Sequence, residues 1–141
     1  MRHVLTLALV LSLAVPATAQ WTDLGGGLAG TSGTPPVLAG LGPLLPTAGT
    51  KISVDGAPAS SIGYVLLGLS ALNAPFKGGV LIPNPDVLAV IAFDGNGSFS
   101  AIFSWPTDVP ANTQMWWQCW APDAGGPKGF VATNGLLSLS S

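Results

Sequence analysis

Three residues late in the chain have side chains suited to binding a sugar or another protein. Trp116, Gln118 and Trp120 occupy alternate positions of the segment Met-Trp-Trp-Gln-Cys-Trp. On a β-strand they share one face, and about 3.3 Å per residue places the two indoles about 13 Å apart. Two flat aromatic rings with an amide between them suit a glycan, or equally a protein contact, where tryptophan is enriched. Burial under a covering element is the alternative, because tryptophan is highly buried on average.

Residues 20–141 lack the side chains that most catalytic sites use. They contain no histidine, arginine or glutamate. A Ser-His-Asp triad, a Cys-His dyad and a histidine metal site are therefore excluded for this segment. Lys51 and Ser53 could combine as a base and a nucleophile, but their alternation is typical of a solvated strand face. The sequence predicts a protein that is not an enzyme, with no catalytic residues and no cofactor.

An acidic turn resembles the beginning of a calcium loop. Asp94, Asn96 and Ser98 lie at alternate positions, but the position of the closing acidic ligand is occupied by Trp105. Asp-Gly supplies the positive φ angles of a tight turn, so the segment predicts a β-hairpin instead. Its arms would run from Val87 to Phe93 and from Gly97 to Trp105. We expect no metal site.

The N-terminal segment has the pattern of a cleavable signal peptide. Arg2 and His3 precede an apolar run from Val4 to Val15, and Ala17-Thr-Ala19 is a small-x-small cleavage pattern. The 12 residues of that run are fewer than the roughly 20 that cross a bilayer. The sequence therefore predicts a signal peptide over residues 1–19 and a secreted product, found in the periplasm, at the cell surface or in the medium.

The predicted mature chain carries few charges. Three lysines and six aspartates give residues 20–141 a net charge of −3, and these charges are scattered. The absence of a basic patch argues against a nucleic-acid partner, and no integral membrane segment is expected after cleavage. The lone cysteine, Cys119, cannot form an intramolecular disulfide, so it is either buried or available to another chain. Burial is favoured because a free cysteine behaves as a small hydrophobic residue.

The remaining pattern predicts an all-β fold. Gly or Pro interrupts nearly every ten-residue window after residue 19, while alternating segments such as 51–55 and 98–105 recur. Further strands are predicted at 62–69, 80–82, 87–93 and 113–120, with one or two in 130–139. We expect one domain over residues 20–141: an antiparallel β-sandwich of about 7–9 short strands, with Greek-key, immunoglobulin-like or jelly-roll-like connections.

Several short motifs resemble a β-sandwich module that recurs in the secretomes of Gram-negative bacteria. They include Trp21-Thr-Asp-Leu-Gly25, Pro75-Phe-Lys-Gly-Gly79, and Asn134 with Leu136. The resemblance covers nearly all of residues 20–141 and implies a fold, not an activity. It leads us to expect a non-enzymatic structural or interaction module at the cell surface or outside the cell. Its partner would be a polysaccharide or another surface protein.

Two other functions follow from particular residues. The first is a glycan-binding module that uses Trp116, Gln118 and Trp120. The second is a self-assembling surface or matrix subunit, because an exposed strand edge with so few charges favours pairing with another edge. Solubility at high protein concentration separates self-assembly from the other two functions.

Overall fold

The computed structural model describes residues 20–141, and the predicted signal peptide, residues 1–19, lies outside this range. The described residues form β-strands and contain no helix, which confirms the all-β class. None of them therefore forms a helix long and apolar enough to cross a membrane. The eleven strands are β1 (Trp21–Gly25), β2 (Val37–Leu41), β3 (Gly49–Asp55), β4 (Ile62–Gly68), β5 (Ala71–Phe76), β6 (Gly79–Pro83), β7 (Val87–Ala92), β8 (Phe99–Ser104), β9 (Gln114–Pro122), β10 (Phe130–Ala132) and β11 (Gly135–Leu139).

The larger sheet is organised around β9, the longest strand. Its order is β1-β11-β9-β4-β7, and β10 pairs with the C-terminal part of β9. One edge of β9 is shared by two strands: Trp117 pairs with Leu136 of β11, and Trp120 pairs with Ala132 of β10. The other edge pairs with β4. All of these pairings are antiparallel, and β7 forms one border of the sheet.

A three-stranded sheet, ordered β2-β3-β8 and called the smaller sheet below, packs against the larger sheet across the main core. Along β3, Thr50, Ile52 and Val54 are buried, and Lys51 and Asp55 are exposed. This is the period-two pattern of a strand with one buried face. The core between the sheets consists of Leu38, Leu44, Ile52, Val54, Val65, Phe93, Trp105, Trp117, Cys119, Ala121, Val131 and Leu136.

An asparagine side chain connects the loop after β10 to the smaller sheet. The Asn134 side-chain oxygen accepts a hydrogen bond from the backbone N–H of Leu38 at 2.9 Å. Its amide nitrogen donates to the Leu38 carbonyl at 3.1 Å and to Asp23 at 3.1 Å. Because Leu38 lies on β2 and is buried, this contact satisfies backbone groups where water has little access.

The hairpin formed by β5 and β6 covers the outer face of the larger sheet as a third layer. A second apolar cluster lies beneath it, composed of Leu66, Leu81, Trp120 and Ala132, with Leu28 and Phe130 packed against it. The turn of this hairpin is Lys77-Gly78, and both residues have positive φ angles, 49° and 85°. Two consecutive positive φ angles identify the type I′ turn that suits the twist of a two-residue hairpin.

The predicted hairpin of β7 and β8 is not formed, although its turn is. Asp94 and Gly97 close the turn by a 3.0 Å backbone hydrogen bond, but the positive φ lies at Gly97 (73°) and not at Asp94-Gly95 as the sequence predicted. β7, however, pairs with β4 of the larger sheet, and β8 pairs with β3 of the smaller one. The loop after β3 lies against the turn, where the Gly97 carbonyl accepts a hydrogen bond from Ala57 and the Asp94 carbonyl accepts one from Ser60. The segment is therefore an arch that carries the chain between sheets.

Candidate functional site

The three predicted site residues share a face of β9, but that face is covered. Gln118 is 0% exposed and Trp120 is 2% exposed. Trp116 is half-buried at the position that pairs with Gly68. The alternation inferred from the sequence is thus correct, while the exposed platform that sugar binding requires does not form. The covering element is the β5–β6 hairpin, so burial, the alternative to exposure, describes Gln118 and Trp120.

The Gln118 amide connects the β5–β6 hairpin to the larger sheet by hydrogen bonds. Its oxygen accepts hydrogen bonds from the Ile82 backbone N–H and from the Trp120 indole N–H, both at 3.0 Å. Its nitrogen donates to the carbonyls of Val80 and Thr133, both at 3.1 Å. Both acceptor lone pairs of the oxygen and both N–H donors of the amide are in use, as burial requires. This side chain is structural in the described fold.

The acidic side chains highlighted by the sequence serve the turns in which they lie. Asp94 accepts hydrogen bonds from the backbone N–H groups of Asn96 and Ser98 at 2.9 Å each. Asp123 accepts from the hydroxyl and the backbone N–H of Thr31, and the hydroxyl contact is the main cause of a lowered Asp123 pKa. Within residues 20–141 no three metal-binding side chains lie close enough together to hold an ion. The prediction of an Asp94 turn is confirmed.

Cys119 is buried in the main core, as the sequence favours. It is 2% exposed and forms no disulfide. Burial raises the pKa of its thiol to about 12, and the backbone hydrogen bond with Tyr64 only partly offsets this effect. A thiolate is the reactive form of cysteine, so at neutral pH this side chain is inert.

Among the described residues, the edge strand β7 combines an unpaired backbone edge with exposed apolar side chains on both faces. Within residues 20–141, β4 is the one strand that pairs with it. Its sequence, Val-Leu-Ala-Val-Ile-Ala, contains no charge and no proline. Val87, Leu88 and Val90 are 53%, 57% and 62% exposed. Edge strands of monomeric proteins are usually protected by lysine, proline, a bulge or a covering segment, and β7 has none of these within the described range.

Both faces of β7 border apolar concavities. On the inner face, Val87, Ala89 and Ile91 line a cleft of about 240 Å³ between the two sheets, opposite Phe99 and Phe103. On the outer face, Leu88 lines a groove of about 350 Å³ that extends towards the β5–β6 hairpin. The side chains on both faces of the strand are therefore apolar and partly solvated. Contiguous apolar surface of this kind is typical of an interaction site.

Sequence reasoning did not single out β7 as the functional surface. Its continuous apolar run resembles a strand buried on both faces, which is the usual meaning of such a run. The signal that distinguishes the two cases is the position of the strand in the sheet, and position depends on pairings between distant segments. The chain's low charge, which favours edge pairing, was the available indication.

Comparisons with known proteins add no constraint to this site. No protein-family model matches the chain, and neither a similar curated protein nor a similar solved structure was found. The resemblance to a secreted β-sandwich module therefore stays an expectation. The surface around β7 has to be interpreted from its own geometry.

Proposed function

We propose that residues 20–141 form a secreted, non-enzymatic interaction module that assembles with a second copy of itself through β7. The observation that carries this proposal is the edge of β7, which is uncharged, partly exposed on both faces and unpaired on one side within residues 20–141. Such an edge offers a row of backbone donors and acceptors to another strand. Main-chain hydrogen bonds supply the affinity, and the flanking side chains supply the specificity.

A second copy is the occupant that suits this edge, because the strand is complementary to itself. An antiparallel pair of β7 strands about a two-fold axis perpendicular to the sheet brings residues of the same face together. With Ala89 on the axis, Val87 lies opposite Ile91 and Leu88 lies opposite Val90. Aliphatic cross-strand pairs of this kind stabilise a sheet. The two-fold arrangement also closes, so it yields a dimer and not an open fibre.

The charges around β7 favour this register over the neighbouring one. Asp86 and Asp94 flank the strand and lie outside it. Placing Val90 on the axis would bring Asp86 of one copy opposite Asp94 of the other, and like charges that face each other are destabilising. Placing Ala89 on the axis brings Asp86 opposite Ala92 instead. The strand between the two aspartates carries no charge that would repel an identical copy.

The non-enzymatic and secreted parts of the proposal have separate support. The described residues contain no histidine or glutamate, and their one thiol is buried with a raised pKa. Asp94 and Asp123 accept backbone hydrogen bonds within their own turns. Secretion rests on the export pattern of residues 1–19. A module without catalytic groups that leaves the cell would act by contact.

Sedimentation of the protein over a range of concentrations tests this function. We expect a monomer–dimer equilibrium, and Val90→Lys should raise the dimer dissociation constant at least tenfold because it places a charge on the outer face of the pairing strand. Ile102→Lys is the matched control, since Ile102 is 78% exposed on β8 of the other sheet. A wild type that stays monomeric at high concentration, or a Val90→Lys protein that associates as the wild type does, would overturn the proposal.

A further inference from the structure

The groove on the outer face of the larger sheet has the form of a small-molecule site. It lies between the β5–β6 hairpin and β7, and its volume of about 350 Å³ is at the lower end of the range of roughly 300–1,000 Å³ typical of ligand pockets. Its lining is aliphatic and aromatic: Tyr64, Leu66, Phe76, Leu81, Leu88, Trp120 and Phe130. A ligand that fills it must present an apolar body, because the groove offers no polar group to pair with.

A positive charge is held at one end of this groove. The Lys77 ammonium lies 5.8 Å from the centre of the Phe76 ring and 5.5 Å from that of Phe130. Both rings line the groove, and cation–π attraction favours the ammonium at this end. Lys77 also adopts a left-handed backbone conformation, with φ 49°, that asparagine and glycine adopt more readily.

A second lysine lies beside the same turn. The Cγ atom of Lys128 is 3.7 Å from the position that a Cβ atom of Gly78 would occupy. Residues 20–141 contain three lysines, so two of them lie at or beside this turn in a domain whose net charge is negative. Leu88 and Pro85, which also line the groove, are apolar. The groove is thus apolar along its length and cationic at one end.

We propose that this groove binds a medium-chain alkyl carboxylate, with the carboxylate at Lys77 and the alkyl chain directed towards Leu88. An alkyl chain matches the apolar lining, and a single negative head group is complementary to the ammonium. The aromatic pair formed by Phe76 and Trp120, whose ring centres are 5.1 Å apart, forms one wall of the groove. This binding uses the side chain of Leu88 on the outer face of β7, whereas the main-chain hydrogen bonds of the pairing use the backbone edge of the strand.

Titration calorimetry with decanoate, below the concentration at which it forms micelles, tests the proposal. We expect saturable binding of one decanoate per chain. Octanoate should bind about tenfold more weakly, because it loses two buried methylene groups. Decanol should also bind more weakly, since it lacks the charge. Methyl NMR should show the largest shifts at Leu66, Leu81 and Leu88.

Matched variants test whether the Lys77 ammonium binds the carboxylate. Lys77→Asn keeps a residue that tolerates the left-handed turn, and it should weaken decanoate binding about three- to fivefold, the effect of one partly exposed ion pair. Lys51→Gln, on an exposed position of the other sheet, should leave binding unchanged. Val90→Lys should also bind decanoate normally, because Val90 does not line the groove. A failure of β7 pairing and a failure of ligand binding are therefore distinguishable.

Five outcomes would overturn the proposal, four of them in the experiments with free ligand. These are the absence of saturable decanoate binding, equal affinity for decanol and decanoate, equal effects of the Lys77 and Lys51 substitutions, and NMR shifts confined to the cleft between the two sheets. Binding to phosphatidylglycerol vesicles without binding of free decanoate would also overturn it, because it would show attraction to a membrane surface instead of capture of a single chain.

Discussion

The side chain of Gln118 accepts a hydrogen bond from the backbone N–H of Ile82, 3.0 Å away and 36 positions earlier in the chain. This contact binds the edge of β6 to the face of the larger sheet. The same amide also donates to the Val80 carbonyl on β6. The hairpin therefore covers the sheet by specific hydrogen bonds as well as by apolar packing, and the groove along its border has a fixed wall.

Replacing Gln118 by methionine should strongly destabilise the protein. Methionine has a similar shape, but it leaves the backbone N–H of Ile82 and the carbonyl of Thr133, both in a buried environment, without their partner. Each unsatisfied buried group costs about 1–3 kcal/mol, so we expect a loss of about 3 kcal/mol in the free energy of unfolding. Urea denaturation measures this change.

The control for this substitution lies on the same strand. Gln114→Met alters an exposed glutamine at the beginning of β9, and it should change stability by no more than about 0.5 kcal/mol. If Gln118→Met proves as mild as Gln114→Met, the hairpin is not held by this amide.

The arch between β7 and β8 predicts opposite effects of two neighbouring glycine substitutions. A Cβ atom on Gly97 would lie 1.9 Å from the Ala57 carbonyl oxygen, and its φ of 73° is also unfavourable for alanine. We expect Gly97→Ala to cost about 3 kcal/mol from overpacking and backbone strain combined. A Cβ atom on Gly95 meets nothing within 4 Å, so Gly95→Ala should be neutral or stabilise by up to about 1 kcal/mol.

Thermal denaturation of both variants measures this difference. An ordinary exposed hairpin at this position would give Gly97→Ala a smaller penalty, because the loop after β3 would not lie against it. Similar melting temperatures for the two variants would therefore contradict the arch.

The buried thiol predicts a loss of stability at alkaline pH. Its pKa is raised from 9.0 to about 12 in the folded protein, so above pH 9 the thiol ionises in the unfolded chain but not in the folded one. The stabilisation is complete below pH 9 and is lost progressively as the pH rises towards 12. The slope that Cys119 contributes approaches about 1.4 kcal/mol per pH unit.

A cysteine-free variant isolates the contribution of the thiol. The stability of Cys119→Ala should fall less steeply than that of the wild type between pH 9 and pH 11, as measured by urea denaturation. Equal slopes for the two proteins would show that the thiol ionises as readily in the folded state as in the unfolded chain.

Local patterns were sufficient to predict the fold class and most strands, because they depend on neighbouring residues. The alternation of β3 and the turn at Asp94 are of this kind. β5 was missed, because Pro75 and the positive φ of Asn73 remove the local pattern of a strand. Its pairing with β6 includes a register shift between Ala71 and Ala74, which the sequence does not signal.

Whether the face of Trp116, Gln118 and Trp120 is covered was left open by the sequence for the same reason. Sequence spacing correctly places Gln118 and Trp120 on one face, but whether that face is exposed depends on where the hairpin after β4 folds. This placement is decided by contacts between residues some 40 positions apart, such as Gln118 with Val80. The position of β7 at the edge of the sheet likewise depends on pairings between distant segments, such as that with β4. It could therefore be recognised as a candidate site only from the structure.

Hydrogen exchange of the β7 backbone amides, followed by NMR at low and at high protein concentration, tests the central claim most directly. If β7 pairs with its copy, the outward-pointing amides of Val87–Ala92 should exchange rapidly at low concentration and become protected as the dimer forms. Val90→Lys should abolish that protection, and Ile102→Lys should preserve it. Amides of β7 that exchange equally fast at both concentrations, while the protein is shown to associate, would place the interface elsewhere and contradict the account.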